Sequence, residues 1–259
     1  MKVDLHNHTV LCNHATGTVA EYVEAAIGCK TEYFGFSDHA PMHFDPKYRM
    51  HFDQMEVYES WIKEAQERYA KDITVLLGYE IDYLPGYMDE SVWGRKCDYL
   101  IGSVHFIDDW GFDNPEFIGR YEGADIDDIY RRYFALIETM ASSGKFDIVG
   151  HLDLLKVFKF LPTKDIRILA EGALKAIKKA NMTIEINVSG YRKPIEEAYP
   201  SPLLLESISE LEIPITFGSD AHCKEQVGMY SRETEALARS VGYSQCALYR
   251  QRDREMIKF

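Results

Sequence analysis

Short runs of apolar, β-branched and aromatic residues alternate along this chain with longer stretches of helical period. The runs predict strands over Lys2–His6, Tyr33–Ser37, Ile73–Glu80, Tyr99–Val104, Asp147–Gly150, Thr183–Asn187 and Pro214–Ser219. Between them the spacing predicts helices over Thr18–Cys29, Asp53–Ala70, Asp125–Ser142, Lys164–Asn181 and Ser201–Glu210, with a last one over Arg232–Val241. Capping residues agree: Glu21 follows Thr18 by three, and Thr163 or Asp165 precedes an apolar-periodic run. In that run Ile166, Leu169, Ala170, Ala173, Leu174 and Ile177 share one stripe, as a helix covering a barrel requires. Pro85, Gly86 and Gly94 leave room only for a short helix around Met88–Lys96.

Strand–helix alternation implies a parallel sheet with helices outside. Seven such units without a linker favour a closed α/β barrel, formed as a single domain over residues 1–259. In such barrels the active site is assembled from the C-terminal ends of several strands. Two long loops belong to that face. Ala40–Phe52 holds His43, Lys47, Arg49 and His51, and Phe106–Ala124 is rich in Asp, Gly and aromatics, including Trp110, Phe112, Phe117 and Tyr121. Both read either as lids and specificity elements or as plain surface packing.

The chemistry gathers at the predicted strand ends. Of the nine histidines, His6, His8, His39, His105, His151 and His222 lie there, with His14 just after the first strand. Imidazole with carboxylate is the ligand set of zinc, manganese and iron. Residues two apart on a strand point the same way, so His6 and His8 can chelate one ion, and Asp220 with His222 repeats the spacing. Glu80 ends the apolar run Val75–Tyr79, where a lone carboxylate is costly unless paired or metal-bound. Asp38 is suited to holding the second nitrogen of a ligand or to touching the metal itself. Gly78, Gly102, Gly150 and Gly218, preceding several ligands, are expected to leave room for close packing near the ions. His43 and His51 stay ambiguous in their loop.

Composition narrows the partners. A formal charge of −13 argues against a nucleic-acid or anionic-membrane surface, although bound metal can still admit an anionic small substrate. No apolar run approaches the ~20 residues of a membrane span, and the strand pattern starts too early for a signal peptide. The five cysteines are widely spaced and form no Cys-x-x-Cys. They are expected to be reduced thiols in a cytoplasmic protein, with Cys12 and Cys223 as packing residues beside histidine motifs. Oligomeric state is left open.

Asp4-Leu5-His6-Asn7-His8-Thr9, Gly35-Phe36-Ser37-Asp38-His39, Ser103-Val104-His105 and Gly218-Ser219-Asp220-Ala221-His222 resemble the four signature motifs of the polymerase-and-histidinol-phosphatase (PHP) superfamily. Within it, Ser37–Pro41, Gly78–Tyr83, Gly150–Leu154 and the long insertion after His105 are similar to the monofunctional histidinol-phosphate phosphatases. The resemblance spans essentially the whole chain. It implies a distorted (β/α)7 TIM-like barrel holding three divalent transition-metal ions (zinc, manganese or iron). One ion would take His6, His8, Glu80 and Asp220. A second would share Glu80 and add His105 and His151, and a third would take His14, His39 and His222.

The activity so implied is hydrolysis of L-histidinol phosphate to L-histidinol and phosphate, in histidine biosynthesis. A metal-activated hydroxide would attack at the trinuclear centre, with Glu80, Asp220 and His222 as catalytic residues. Arg192, after the sixth strand, is the phosphate-clamp candidate, because guanidinium matches phosphate oxygens; its alternative is a solvated surface arginine. Acidic and aromatic groups of Phe106–Ala124 are suited to the substrate's ammonium and imidazole. The alternative is a family phosphoesterase acting on another small phosphomonoester or a nucleotide. An amidohydrolase is disfavoured, since no lysine ends a strand among the ligands. A metal-binding protein without activity is disfavoured by an intact three-ion set.

Overall fold

The computed structural model describes residues 1–259. In chain order the elements are β1 (Val3–Asp4), α1 (Val19–Gly28), β2 (Tyr33–Phe36), α2 (Met55–Arg68), β3 (Thr74–Asp82), α3 (Glu90–Trp93) and β4 (Tyr99–Ser103). A small hairpin follows, β5 (Phe106–Ile107) and β6 (Trp110–Gly111), and then α4 (Ile126–Ser142), β7 (Ile148–Val149), α5 (Ile166–Lys179) and β8 (Thr183–Asn187). The chain ends with α6 (Pro202–Glu210), β9 (Ile215–Gly218), α7 (Ser231–Ser240) and the hairpin β10 (Gln245–Arg250) and β11 (Asp253–Lys258).

Seven parallel strands pair in the order β1-β2-β3-β4-β7-β8-β9. The ring is closed by Leu5 N–H donating to Phe217 O at 2.9 Å and Asp220 N–H to His6 O at 2.7 Å. Buried Asp4 clips the same seam, accepting from the Ser219 amide at 2.9 Å and its hydroxyl at 2.6 Å. Inside the ring the Tyr99 hydroxyl donates to Leu5 O at 2.7 Å. A Cβ on Gly35 would sit 2.0 Å from that hydroxyl oxygen, so only glycine lets the ring cross the barrel. The expected α/β barrel is the observed fold.

Outside, the predicted helices cover the strands. Thr18 and Glu21 form a capping box on α1. Asp165, not Thr163, caps α5 by accepting from Arg167 N–H, while Thr163 bonds Asp127 instead. Ala170, Ala173, Leu174 and Ile177 are buried under α5, with Ile166 and Leu169 partly buried at its edge. One apolar cluster runs from Met1 to Tyr249.

The two hairpins were not expected. β10–β11 seals the N-terminal end of the barrel: the Tyr249 hydroxyl meets Thr183 Oγ1 at 2.7 Å, and the Thr216 hydroxyl donates to Ala247 O at 2.9 Å. No helix is long and apolar enough to cross a membrane.

Candidate metal centre

Strand pairing continues past the regular strands and carries the histidines to one rim. The β2–β3 register extends to a bridge between His39 and Glu80, and the closing seam to one between Asn7 and Ala221. Asp38 and His39 therefore stand beside Glu80, while His6 and His8 stand beside Asp220 and His222. His105 and His151 follow β4 and β7. His151 and Asp220 adopt positive φ, +22° and +50°, a strained backbone of the kind that persists where side chains must be aimed.

Glu80, only 1% exposed, uses both oxygens. Its Oε2 lies 3.2 Å from His6 Nε2, 3.6 Å from His8 Nε2 and 3.1 Å from His39 Nδ1. Its Oε1 lies 2.8 Å from His151 Nε2 and 3.7 Å from His105 Nε2. Asp220 Oδ1 is 3.1 Å from His8 Nε2 and 4.0 Å from His6 Nε2. At the mouth, His222 Nε2 and His14 Nε2 face each other at 2.9 Å, with His39 completing a third group. Four sets bring their donor atoms within 4.8 Å, and three consist of candidate ligands alone: His6, His8 and Glu80; Glu80, His105 and His151; His14, His39 and His222. The structure brings all nine candidate ligands together.

The electrostatics pull in two directions. Burial opposes charge on His6, but Glu185, Glu80 and Asp220 outweigh it and raise that imidazole well above its ordinary range. Against the same burial, Asp220 and Asp38 push His8 up to about 9, and Asp82 pushes His105 up to about 10. Toward the opening, burial dominates, and the charge of His8 adds to it, so His14, His39 and His222 are lowered. Burial alone would raise Glu80 and Asp220; the imidazoles around them hold both carboxyls well below their usual range.

These residues fit divalent metal ions. Donor atoms about 2.0–2.2 Å from a shared ion stand roughly 3–3.5 Å from one another, and the imidazole nitrogens around Glu80, at 2.8–3.7 Å, bracket that spacing. Moreover, His6 Nε2 and His39 Nδ1 are buried and lack any hydrogen-bond partner, although Glu80 lies close to both. Buried polar atoms without partners call for an explanation, and a cation beside each supplies it.

A supporting layer beneath the cage escaped the sequence reading. Glu185 Oε1 meets His6 Nδ1 at 2.7 Å, and its Oε2 accepts from His151 N–H at 2.9 Å. Asp82 Oδ1 meets His105 Nδ1 at 2.5 Å and pairs on its other side with buried Arg49. Asp38 takes the supporting role open to it: Oδ1 lies 3.3 Å from His8 Nδ1, and Oδ2 accepts from Thr9 N–H. The signal for Glu185 was present, a lone carboxylate between Ile184 and Ile186 in an apolar strand. It is the argument that singled out Glu80.

Corrections concern the periphery. The glycines do allow close packing: Gly150 against Ser103 and Gly218 against Glu185 and His6 beside the cage, Gly78 against Tyr99 and Gly102 against Met140 and Phe146 away from it. His43 is 69% exposed against Asp89, and the exposed His51 packs at the start of the turn before α2; neither joins the cage. Cys12 donates to Thr9 O and its thiol is raised by burial, although Sγ lies near His8 and His222.

The cage opens into a cleft of about 800 Å³ walled by both long loops. Arg192 lines it. Its Nη2 donates to Ser219 O at 2.8 Å and Asp220 O at 2.9 Å, while Nη1 is buried without a partner.

A seven-stranded barrel with imidazoles and carboxylates on its C-terminal rim defines a class of metal-dependent hydrolases. Residues 4–189 match the PHP domain, and the chain belongs to that family. It is 41% identical over 244 residues to the "Probable histidinol-phosphatase" of Deinococcus radiodurans, covering 92% of this chain and 93% of that protein. It is 29% identical over 256 residues to the histidinol-phosphatase of Bacillus subtilis, covering 88% and 96%. Among solved structures, the histidinol phosphate phosphatase of Lactococcus lactis, complexed with zinc, L-histidinol and phosphate, superposes with a TM-score of 0.81. At 20% identity over 98% of each chain, that likeness speaks to the fold.

Proposed function

We propose that this chain is a metal-dependent phosphatase that hydrolyses L-histidinol phosphate to L-histidinol and phosphate, acting as one barrel domain. The observation that carries the chemistry is Glu80, whose two oxygens face two separate sets of imidazoles. The full-length relatives named as histidinol-phosphatases supply the substrate. His6, His8, Glu80 and Asp220 would hold one divalent ion. Glu80, His105 and His151 would hold a second, and His14, His39 and His222 a third. Zinc, manganese and iron all suit these donors. When bound, such ions neutralise phosphoryl oxygens and lower the pKa of the attacking water.

The chain's own groups do the positioning. Arg192 is held by two carbonyls through Nη2 and keeps Nη1 for a phosphoryl oxygen. Asp220 Oδ2 accepts from Asn187 Nδ2 at 3.3 Å, which fixes its other oxygen against His8. His222, about one-quarter exposed, forms the wall where substrate enters. With five free cysteines and a small-molecule substrate, we place the reaction in the cytoplasm. Phosphate release from histidinol phosphate, measured beside p-nitrophenyl phosphate and nucleotides, tests the reading.

A further inference from the structure

The carboxylates lining the cleft are nearly all spoken for. Asp45 and Asp82 flank Arg49, Asp109 pairs with Arg120 at 3.1 Å, and Glu116 faces Lys47 at 3.8 Å. Glu80 and Asp220 belong to the imidazoles. Asp113 alone lines the cleft with no cationic partner within 4.0 Å and no hydrogen bond to its side chain. It is half-buried, so water screens it only in part. Its charge is left free to meet a cationic group entering the cleft.

Its position gives that cation a direction. Asp113 follows β4 on the hairpin-bearing insertion, while Arg192 follows β8, and only β7 lies between those strands. Both residues line the same cleft. Arg192 keeps Nη1 buried and without a partner at the cleft wall. The cleft is thus lined by one unpaired guanidinium nitrogen, on Arg192, and one unpaired carboxylate, on Asp113.

We propose that Asp113 is a specificity-determining residue that receives the cationic group of a phosphomonoester whose phosphoryl end lies toward Arg192. This rests on the phosphatase reading and deepens it by naming the residue that meets the substrate's cationic end. Phe106 and Phe117 of the same insertion line the cleft and offer apolar surface to the rest of such a molecule.

The test compares metal-loaded wild type, Asp113→Asn and Asp113→Glu on histidinol phosphate, O-phosphoethanolamine and the uncharged isostere propyl phosphate. Losing one charge-assisted contact should lower kcat/KM of Asp113→Asn roughly 10- to 100-fold for the two cationic substrates, chiefly through KM. Propyl phosphate turnover should be unchanged, and Asp113→Glu should keep the preference for cations. An equal fall on all three substrates, or no fall on any, overturns the proposal while leaving the phosphatase reading intact. Wild type inert toward all three overturns that reading and the proposal with it.

Discussion

Glu185 and His6 meet at 2.7 Å in the middle of the barrel, Oε1 against Nδ1, with both side chains fully buried. A neutral imidazole so held keeps its proton on Nδ1 and turns a bare Nε2 toward Glu80. Supporting acceptors of this kind typically contribute 10- to 100-fold in metal affinity. Glu185→Gln should therefore weaken metal retention by roughly that factor with the fold preserved. Metal content after dialysis against graded chelator reads it directly; wild-type retention would remove Glu185 from the account.

Gly218 makes that contact possible. A Cβ there would lie 1.9 Å from Glu185 Oε1 and 2.6 Å from His6 Cβ. Gly218→Ala must displace one of them, so we expect about 1–3 kcal/mol of lost stability together with weaker metal binding. Urea unfolding beside metal analysis checks both, and an unaltered midpoint with full metal would show that the seam yields freely.

Arg49 reaches from the long loop after β2 to Asp82, which also holds His105; their side chains are 4% and 2% exposed. Burial alone would raise Asp82, but Arg49 and His105 hold it well below its usual range. Arg49→Met leaves a buried carboxylate half-compensated, and breaking such a pair costs about 3–5 kcal/mol. Equilibrium unfolding measures the loss. Arg49→Met with Asp82→Asn should recover part of it, and an additive outcome would contradict the pairing.

Burial pushes the thiols of Cys97 and Cys246 up to about 12 and raises Cys12 as well. At pH 8 these groups carry almost no thiolate, the reactive form. A thiol reagent should label exposed Cys29 quickly, half-buried Cys97 more slowly, and spare Cys12 and Cys246 until the chain unfolds. Peptide mapping after brief labelling decides it; early modification of Cys246 would contradict its burial.

The barrel and its rim were readable because their signals are periodic. Each strand is a short apolar run, and each candidate ligand stands where that run ends. The layer beneath was harder. Asp4, Asp82 and Glu185 occupy strand positions two residues from His6, Glu80 and Asn187, on the same face, but what each one holds lies on another strand. Nothing local identifies that partner. The C-terminal hairpin escaped for a different reason. Its turn places Gln251 and Arg252 at positive φ, 51° and 72°, without the glycine or asparagine that usually marks such a turn. The β5–β6 turn does the same with Asp108. Asp113 was one acidic residue among several in its insertion, and only the ion pairs of its neighbours set it apart.

Phosphate release from histidinol phosphate by wild type and Glu80→Ala, each with its metal content determined, tests the central claim most directly. Wild type should hydrolyse histidinol phosphate in preference to p-nitrophenyl phosphate and nucleotides, lose activity to chelator and regain it with added metal. Glu80→Ala should fold, lose metal and release no phosphate. Turnover that persists in Glu80→Ala, or a wild type that prefers nucleotides, would contradict the account.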